Sequence, residues 1–144
     1  MALFSKQDKD PLTRAEWKVM RIVWRLKRCA ARDVYTEAGD EHGWSTSTVK
    51  TMLRRLVDKG YLNTEQVGNS FLYRPARSAI TSLRGAADTL LDNALEGTTG
   101  AVIAHMVKRS ELSPGEVAEL RALLDSHAPK IPTKTPNNAK EAQQ

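Results

Sequence analysis

Between Trp44 and Gly60 the chain carries a pattern that leaves little choice of local structure. Ser45 offers a hydroxyl where a helix begins. Val49, Met52, Leu53, Leu56 and Val57 then recur at steps of three and four, so one side of that helix is apolar and has to be covered. The other side presents Ser47, Lys50, Thr51, Arg54 and Asp58, and Lys59-Gly60 stops the helix. Leu62 to Val67 and Ser70 to Arg74 follow, flanking Gly68-Asn69, which reads as a two-stranded hairpin. A helix that runs into a hairpin cannot bury its own apolar side. The preceding residues must supply the cover.

Those residues read as two more helices. Leu12-Thr13-Arg14-Ala15-Glu16-Trp17 predicts a capping box, with Thr13 accepting from the Glu16 amide, Glu16 reaching back, and Leu12 stapled onto Trp17. Trp17, Met20, Val23 or Trp24, and Leu26 form the expected buried stripe, with Arg14, Lys18, Arg21, Arg25 and Arg28 on wetter faces. A second, shorter helix is predicted from Ala31 to Glu41, with Val34, Tyr35 and Ala38 inward. It lacks a good N-cap residue, and Gly43 supplies the left-handed turn that redirects the chain to Trp44. Trp17 and Trp44 are expected to staple the core. Cys29 is expected in a small loop or at a helix end rather than as a redox sensor.

Past Pro75 the helical period returns. Ile80, Leu83, Ala87, Leu90, Leu91 and Leu95 predict one helix ended by Gly97, and Val102, Ile103, Met106 and Val107 a second. Leu112-Ser113-Pro114-Gly115-Glu116-Val117 is a capping box with a staple and a first-turn proline, and Leu120, Leu123 and Leu124 continue its apolar side. The expected organisation is a flexible N-terminus over 1–11, a winged helix over 12–77, a helical region over 78–127 and a disordered, proline-bearing tail over 128–144. So short a domain offers the last helices little to pack on, which predicts that two copies pair through them.

Charge narrows the partner. Residues 1–77 carry a net +6, while 78–127 carry −3, so basicity belongs to the half that holds the hairpin. One cysteine excludes an intrachain disulfide framework, and His42, His105 and His127 have no metal-ligand spacing. His105 is expected to pack among apolar neighbours. The common phosphate-loop, nucleophile-elbow and zinc-protease signatures are absent, so neither an enzyme nor a cofactor is expected. No apolar run reaches the roughly 20 residues that span a bilayer, and the first ten residues are too polar for a signal peptide. A cytoplasmic protein without membrane insertion is the expectation.

Three helices and a hairpin, mainly α with a small β element, make a winged helix-turn-helix, and the third helix has the outer face that double-stranded DNA requires. An α-helix fits the major groove. Ser45, Thr46, Ser47 and Thr48 crowd its positive end, where hydroxyls and amides meet phosphates and base edges. Lys50 and Arg54, one turn apart, suit phosphate or guanine, with Thr51 between them and Arg55 flanking. Asn69 and Arg74 of the hairpin complete the candidate set. Solubility is the simpler role for Arg14, Lys18 and Arg21, and likewise for Lys6 and Lys9. A second reading makes the winged helix a protein-interaction module whose basic face meets an acidic partner in a larger assembly.

These residues also resemble a family, the penicillinase repressors of the BlaI/MecI/CopY type. Leu12-Thr13-x-x-Glu16-Trp17-x-Val19-Met20-x-x-x-Trp24, Asp33-Val34, and Trp44-Ser45-x-x-Thr48-Val49-x-Thr51-x-Leu53-x-Arg55-Leu56-Val57-x-Lys59-Gly60 carry the resemblance, with Tyr73-x-Pro75 and Leu112-Ser113-x-x-Glu116-x-x-x-Leu120. It implies a homodimeric repressor on a palindromic operator that silences β-lactamase or related resistance, stress and homeostasis genes. Operator contacts would fall on Ser47, Thr48, Thr51 and Arg55, with Lys50 and Arg54 beside them. The dimer would use Ile80, Leu83, Leu90, Leu91, Val102, Ile103, Met106, Leu120, Leu123 and Leu124. The wing tip departs from the family, with Asn69 where a basic residue is common. In the penicillinase branch a protease linked to a membrane sensor cuts an Asn-Phe bond, and the matching pair here is His105-Met106. The copper branch has a cysteine-rich tail, which this chain lacks.

Overall fold

The computed structural model describes residues 11–127; the expectations for the N-terminus and the tail, and Lys6 and Lys9 with them, lie outside the described residues, apart from Pro11. Helix α1 spans Arg14–Leu26, strand β1 Cys29–Ala30, α2 Ala31–His42, α3 Thr46–Asp58, β2 Leu62–Val67 and β3 Ser70–Pro75. Three further helices follow: α4 over Ala79–Asp92, α5 over Thr99–Arg109 and α6 over Pro114–His127. The chain divides between Ala94 and Leu95 into two compact units, so α4 falls in the first with the winged helix.

Helix α1 starts as predicted on one side of its capping box only. Thr13 Oγ1 accepts from the Glu16 amide at 3.2 Å. The Glu16 carboxylate does not reach back to Thr13; it is 1 % exposed, and Lys59 Nζ bonds both of its oxygens at 2.7 and 2.9 Å. The reason is long-range: Lys59, which caps the far end of α3, offers a full charge where the Thr13 amide offers a partial one. The stripe keeps Met20 and Val23 at its centre as expected but is wider than the spacing predicts. Val19, Met20, Ile22 and Val23 are fully buried, whereas Trp17 and Trp24 are half-buried, with ring centroids 5.9 Å apart. Trp24 Nε1 donates to the Arg77 carbonyl at 2.9 Å, so its polar edge has a partner. Trp17 is therefore not a core staple, while Trp44 packs half-buried against the core as expected.

Between α1 and α2 the structure adds a strand that was not expected. Cys29 and Ala30 pair antiparallel with Tyr73 and Leu72, which puts β3 in the middle of a three-stranded sheet of order β1-β3-β2. Cys29 is thus a buried sheet residue and not a loop or helix-end one. Its two-residue strand exists because β3 offers an open edge. The chain reaches it through Lys27, the one non-glycine described residue at positive φ (69°).

Asp33 solves the missing cap of α2 by accepting from the Ala30 amide at 3.0 Å. Gly43, at φ 66°, closes that helix and turns the chain to α3 as predicted. Val49, Leu53 and Leu56 of α3 are buried, with Met52 and Val57 half-buried beside them. They meet Val34 and Ala38 of α2 and the α1 side chains in one core, sealed by Tyr61 and Leu62 at the root of the hairpin. The hairpin register pairs Leu62 with Pro75 and Val67 with Ser70. Its turn is carried by Gly68, alone of the two loop residues at positive φ (61°).

Helix α4 is capped by Ser78, whose hydroxyl accepts from the Thr81 amide at 3.1 Å. It ends at Asp92, three residues before the predicted last apolar position; Leu95 lies outside it and is 78 % exposed. Asn93 caps that end with its amide bonded to the Thr89 carbonyl, and Gly97 serves the turn beyond. Helix α6 opens on the full reciprocal box, the Glu116 amide donating to Ser113 Oγ at 3.2 Å and the Ser113 amide to Glu116 Oε1 at 3.3 Å. Leu112 and Val117 are half-buried around it, as a staple requires.

Candidate nucleic-acid interface

The outer side of α3 begins with a cluster of hydroxyls. Ser45 Oγ accepts from the Thr48 amide at 3.3 Å and lies 3.1 Å from Ser47 Oγ and 2.9 Å from Thr48 Oγ1. Capping thus occupies much of the hydrogen-bonding capacity of Ser45. Thr51 Oγ1 donates back to the Ser47 carbonyl at 3.0 Å, which leaves the Thr51 oxygen outward as an acceptor. Thr46, Ser47, Thr48, Lys50, Thr51, Arg54 and Arg55 are all exposed, and the first turn holds no acidic residue to oppose an anion.

Several cations elsewhere in this unit are engaged. Arg25 meets Glu37 and Glu41, which raises its pKa, the Glu41 hydrogen bond first among the causes. Lys59 meets Glu16, and Arg28 and Arg74 both face Glu65. Lys50, Arg54 and Arg55 make no ion pair among the described residues. Nothing internal has to be broken before these three reach a phosphate or a base.

The wing is arranged differently. Asn69 is exposed at its tip, while Arg74 sits near its root, opposite Asn63 in the register. Arg74 Nη1 is 3.8 Å from Glu65 Oε2, and Arg28 Nη2 is 3.1 Å from the same oxygen, close enough for ion pairing but not aligned as a hydrogen bond. The structure therefore separates Arg74 from the unpaired cations of α3. Phe71 and Val67 are about half exposed near the tip.

One neighbour escaped the spacing argument. Lys18, expected on a solvated face, is half-buried, with Nζ 5.9 Å from the centroid of the Trp44 ring. His42 lies against the same ring at a centroid distance of 4.8 Å. A charge on α1 is thus held beside the residue that precedes the α3 cap. No local pattern connects positions 18 and 44. Cys29 offers no reactive thiolate: burial, and secondarily Asp33, push its pKa up to about 11.

The apolar positions expected to join two copies are largely open to solvent. Ile80, Leu83, Leu90 and Leu91 of α4, Ile103 and Met106 of α5, and Leu120, Leu123 and Leu124 of α6 are exposed, and Val102 is half-buried. His105 is exposed beside Met106 and does not pack among apolar neighbours, because α5 buries no side chain completely. No helix among the described residues is long and apolar enough to cross a membrane.

Known proteins are similar to this chain in sequence. The chain is 32 % identical over 128 residues to an uncharacterized 16.5 kDa protein of Latilactobacillus sakei, covering 89 % of this chain and 88 % of that one. It is 29 % identical over 113 residues to the penicillinase repressor of Bacillus licheniformis, covering 78 % and 88 %. A solution structure of monomeric Bacillus licheniformis BlaI in complex with the blaP half-operator aligns with 49 % of this chain and 85 % of that one, at 33 % identity and a TM-score of 0.45. Residues 12–126 match the family described as penicillinase repressor, from the half-formed box at Thr13 through α6, and the chain belongs to that family of DNA-binding transcriptional repressors.

Proposed function

We propose that this protein is a sequence-specific repressor that acts in the cytoplasm as a homodimer on a palindromic operator, controlling β-lactamase or related resistance or stress genes. The observation that carries the reading is the outer side of α3. There the exposed Lys50, Arg54 and Arg55 have no acidic partner among the described residues, beside hydroxyls at the helix start. Ser47, Thr48 and Thr51 add short polar groups for base edges and phosphates. Ser45 and Thr46 flank the approach, and Asn69 and Arg74 supply the wing side of it. The exposed leucines of α4 and α6 and the apolar residues of α5 support pairing of two copies, which would set two recognition helices on successive turns of the duplex. Relief of repression by a protease linked to a membrane sensor, at the exposed His105-Met106 bond, belongs to the same proposal. A membrane metalloprotease gene beside this one would support that route.

The test is a fluorescence-anisotropy titration of the full chain against its own upstream region and a scrambled fragment, at several salt concentrations. Tighter binding to the upstream fragment supports the reading. Arg54→Ala is expected to cost about 1–3 kcal/mol if that side chain meets a base, and to lower the salt slope by about one if it meets a phosphate. Equal, weak binding to both fragments, together with no effect of Arg54→Ala, would overturn it in favour of an interaction module.

A further inference from the structure

The Glu16–Lys59 pair is the most buried ion pair among those described, and its hydrogen bonds among the described residues do not involve the α3 hydroxyls or cations. Glu16 is 1 % exposed, and both of its oxygens bond Lys59 Nζ, which also donates to the Pro11 carbonyl at 3.1 Å. The ammonium thereby uses all three of its donors. Taking two such charges out of water costs several kcal/mol each, and an apolar pair of the same volume often serves stability equally well. Stability alone is a weak reason for the arrangement. Its placement suggests another: Glu16 sits in the first turn of α1 and Lys59 caps the last turn of α3, only four and five residues beyond Arg55 and Arg54.

We propose that the Glu16–Lys59 pair positions the recognition helix, setting its registry against α1 so that the base-reading side chains arrive in the groove together. The proposal rests on the DNA reading above and goes beyond it. Apolar packing of Val49, Leu53 and Leu56 holds α3 to the core but tolerates small slides and rotations, because hydrophobic contact is non-directional. Three directed hydrogen bonds at the helix end do not tolerate them. Contacts to phosphates survive a small displacement of the helix. Contacts to base edges require geometry good to within about 0.5 Å and 10–20°. Loss of the pair should therefore lower selectivity before it lowers affinity for DNA as such.

The experiment compares the full-length parent, Lys59→Met, and the double variant Glu16→Leu/Lys59→Met. Lys59→Met strands a buried carboxylate and is expected to lose stability in urea, whereas the double variant is expected to regain most of it. For the double variant, the ratio of operator to scrambled-fragment affinity is expected to fall about tenfold, the size of one bidentate base contact, with scrambled-fragment affinity and its salt slope at parent values. Residual dipolar couplings of α1 and α3 amides, measured without DNA, are expected to report a changed angle between the two helices. A double variant with parent selectivity, with parent couplings, or with no stable fold would overturn the proposal and leave the pair a structural bond. A parent that shows no selectivity would instead overturn the DNA reading, and the couplings would still decide whether the pair sets the helix.

Discussion

In the first compact unit Val19, Met20, Ile22, Val23, Val34, Ala38, Val49 and Leu56 are wholly removed from solvent, whereas in the second Leu123 and Leu124 remain 61 % and 62 % exposed. Both units have well-formed helices with side-chain caps, so local structure does not distinguish them. What differs is where the apolar faces go. The winged helix closes its own core with three helices and a small sheet. Helix α6 opens on a full capping box and α5 has no side-chain cap at its start, yet both leave their large apolar residues exposed. Stability of the winged-helix core is therefore a property of one molecule, whereas α4, α5 and α6 all leave large apolar side chains exposed, the faces on which the proposed pairing of two copies rests.

The largest expected effect breaks this contrast at its strong side. Leu56→Ala removes a fully buried side chain between α3 and the other helices and is expected to cost about 3 kcal/mol in urea denaturation followed by tryptophan fluorescence. The corresponding change at Leu123, already exposed, should leave that transition within about 0.5 kcal/mol. Equal costs at the two positions would mean that Leu123 is buried, within one molecule or between the two copies proposed above.

The next effect falls on assembly. Leu123→Glu with Leu124→Glu places charge on the exposed side of α6, where two copies are expected to meet. Light scattering should then report a monomer with the urea transition of the winged helix unchanged, and operator affinity should fall about a hundredfold as two linked half-site contacts become one. A dimer that persists would remove α6 from the interface.

Much of the fold was legible because its signals are local. Ser45 and the steps from Val49 to Leu56 defined α3, Gly68-Asn69 defined the wing, and Ser113 with Glu116 defined the start of α6; each signal lies within one or two turns of chain. What was missed depends on residues far apart. Strand β1 is two residues long and carries no period; it forms only because β3 lies beside it, 42 to 44 positions away. Glu16 read as half of a capping box, since the competing Lys59 is 43 residues distant. Of the stripe expected on α1, Met20 and Val23 are fully buried, but Trp17 is only half-buried, since indoles keep a polar edge that favours partial exposure, and Val19 and Ile22 join the centre. The end of α4 was set at Gly97 on a leucine, Leu95, that nothing buries. The candidate DNA side chains followed from the local patterns of α3 and the wing. The separation of paired Arg74 from unpaired Lys50, Arg54 and Arg55 depends on Glu65 across the hairpin, which no local pattern shows.

The smallest effect sharpens the same comparison from the backbone side. Positive-φ turns in both units fall on glycines, at Gly43, Gly60, Gly68 and Gly97, with Lys27 the non-glycine exception at φ 69° and ψ −85°, near the strained γ-turn region. A side chain there costs about 1–3 kcal/mol and persists only where the surroundings over-determine the conformation. They do so here: Ile22 and Val23 are buried just before it, Cys29 just after, and the Lys27 amide is fixed to the Val23 carbonyl at 2.7 Å. Lys27→Gly removes the steric cost but loosens the unfolded chain, which offsets roughly 0.5–1 kcal/mol. The net expectation is a gain of about 1 kcal/mol, or a rise of several degrees in the winged-helix melting temperature. A fall would mean that the lysine stem contributes packing that outweighs its backbone strain, and the turn between α1 and β1 would then belong to the core rather than be imposed by it.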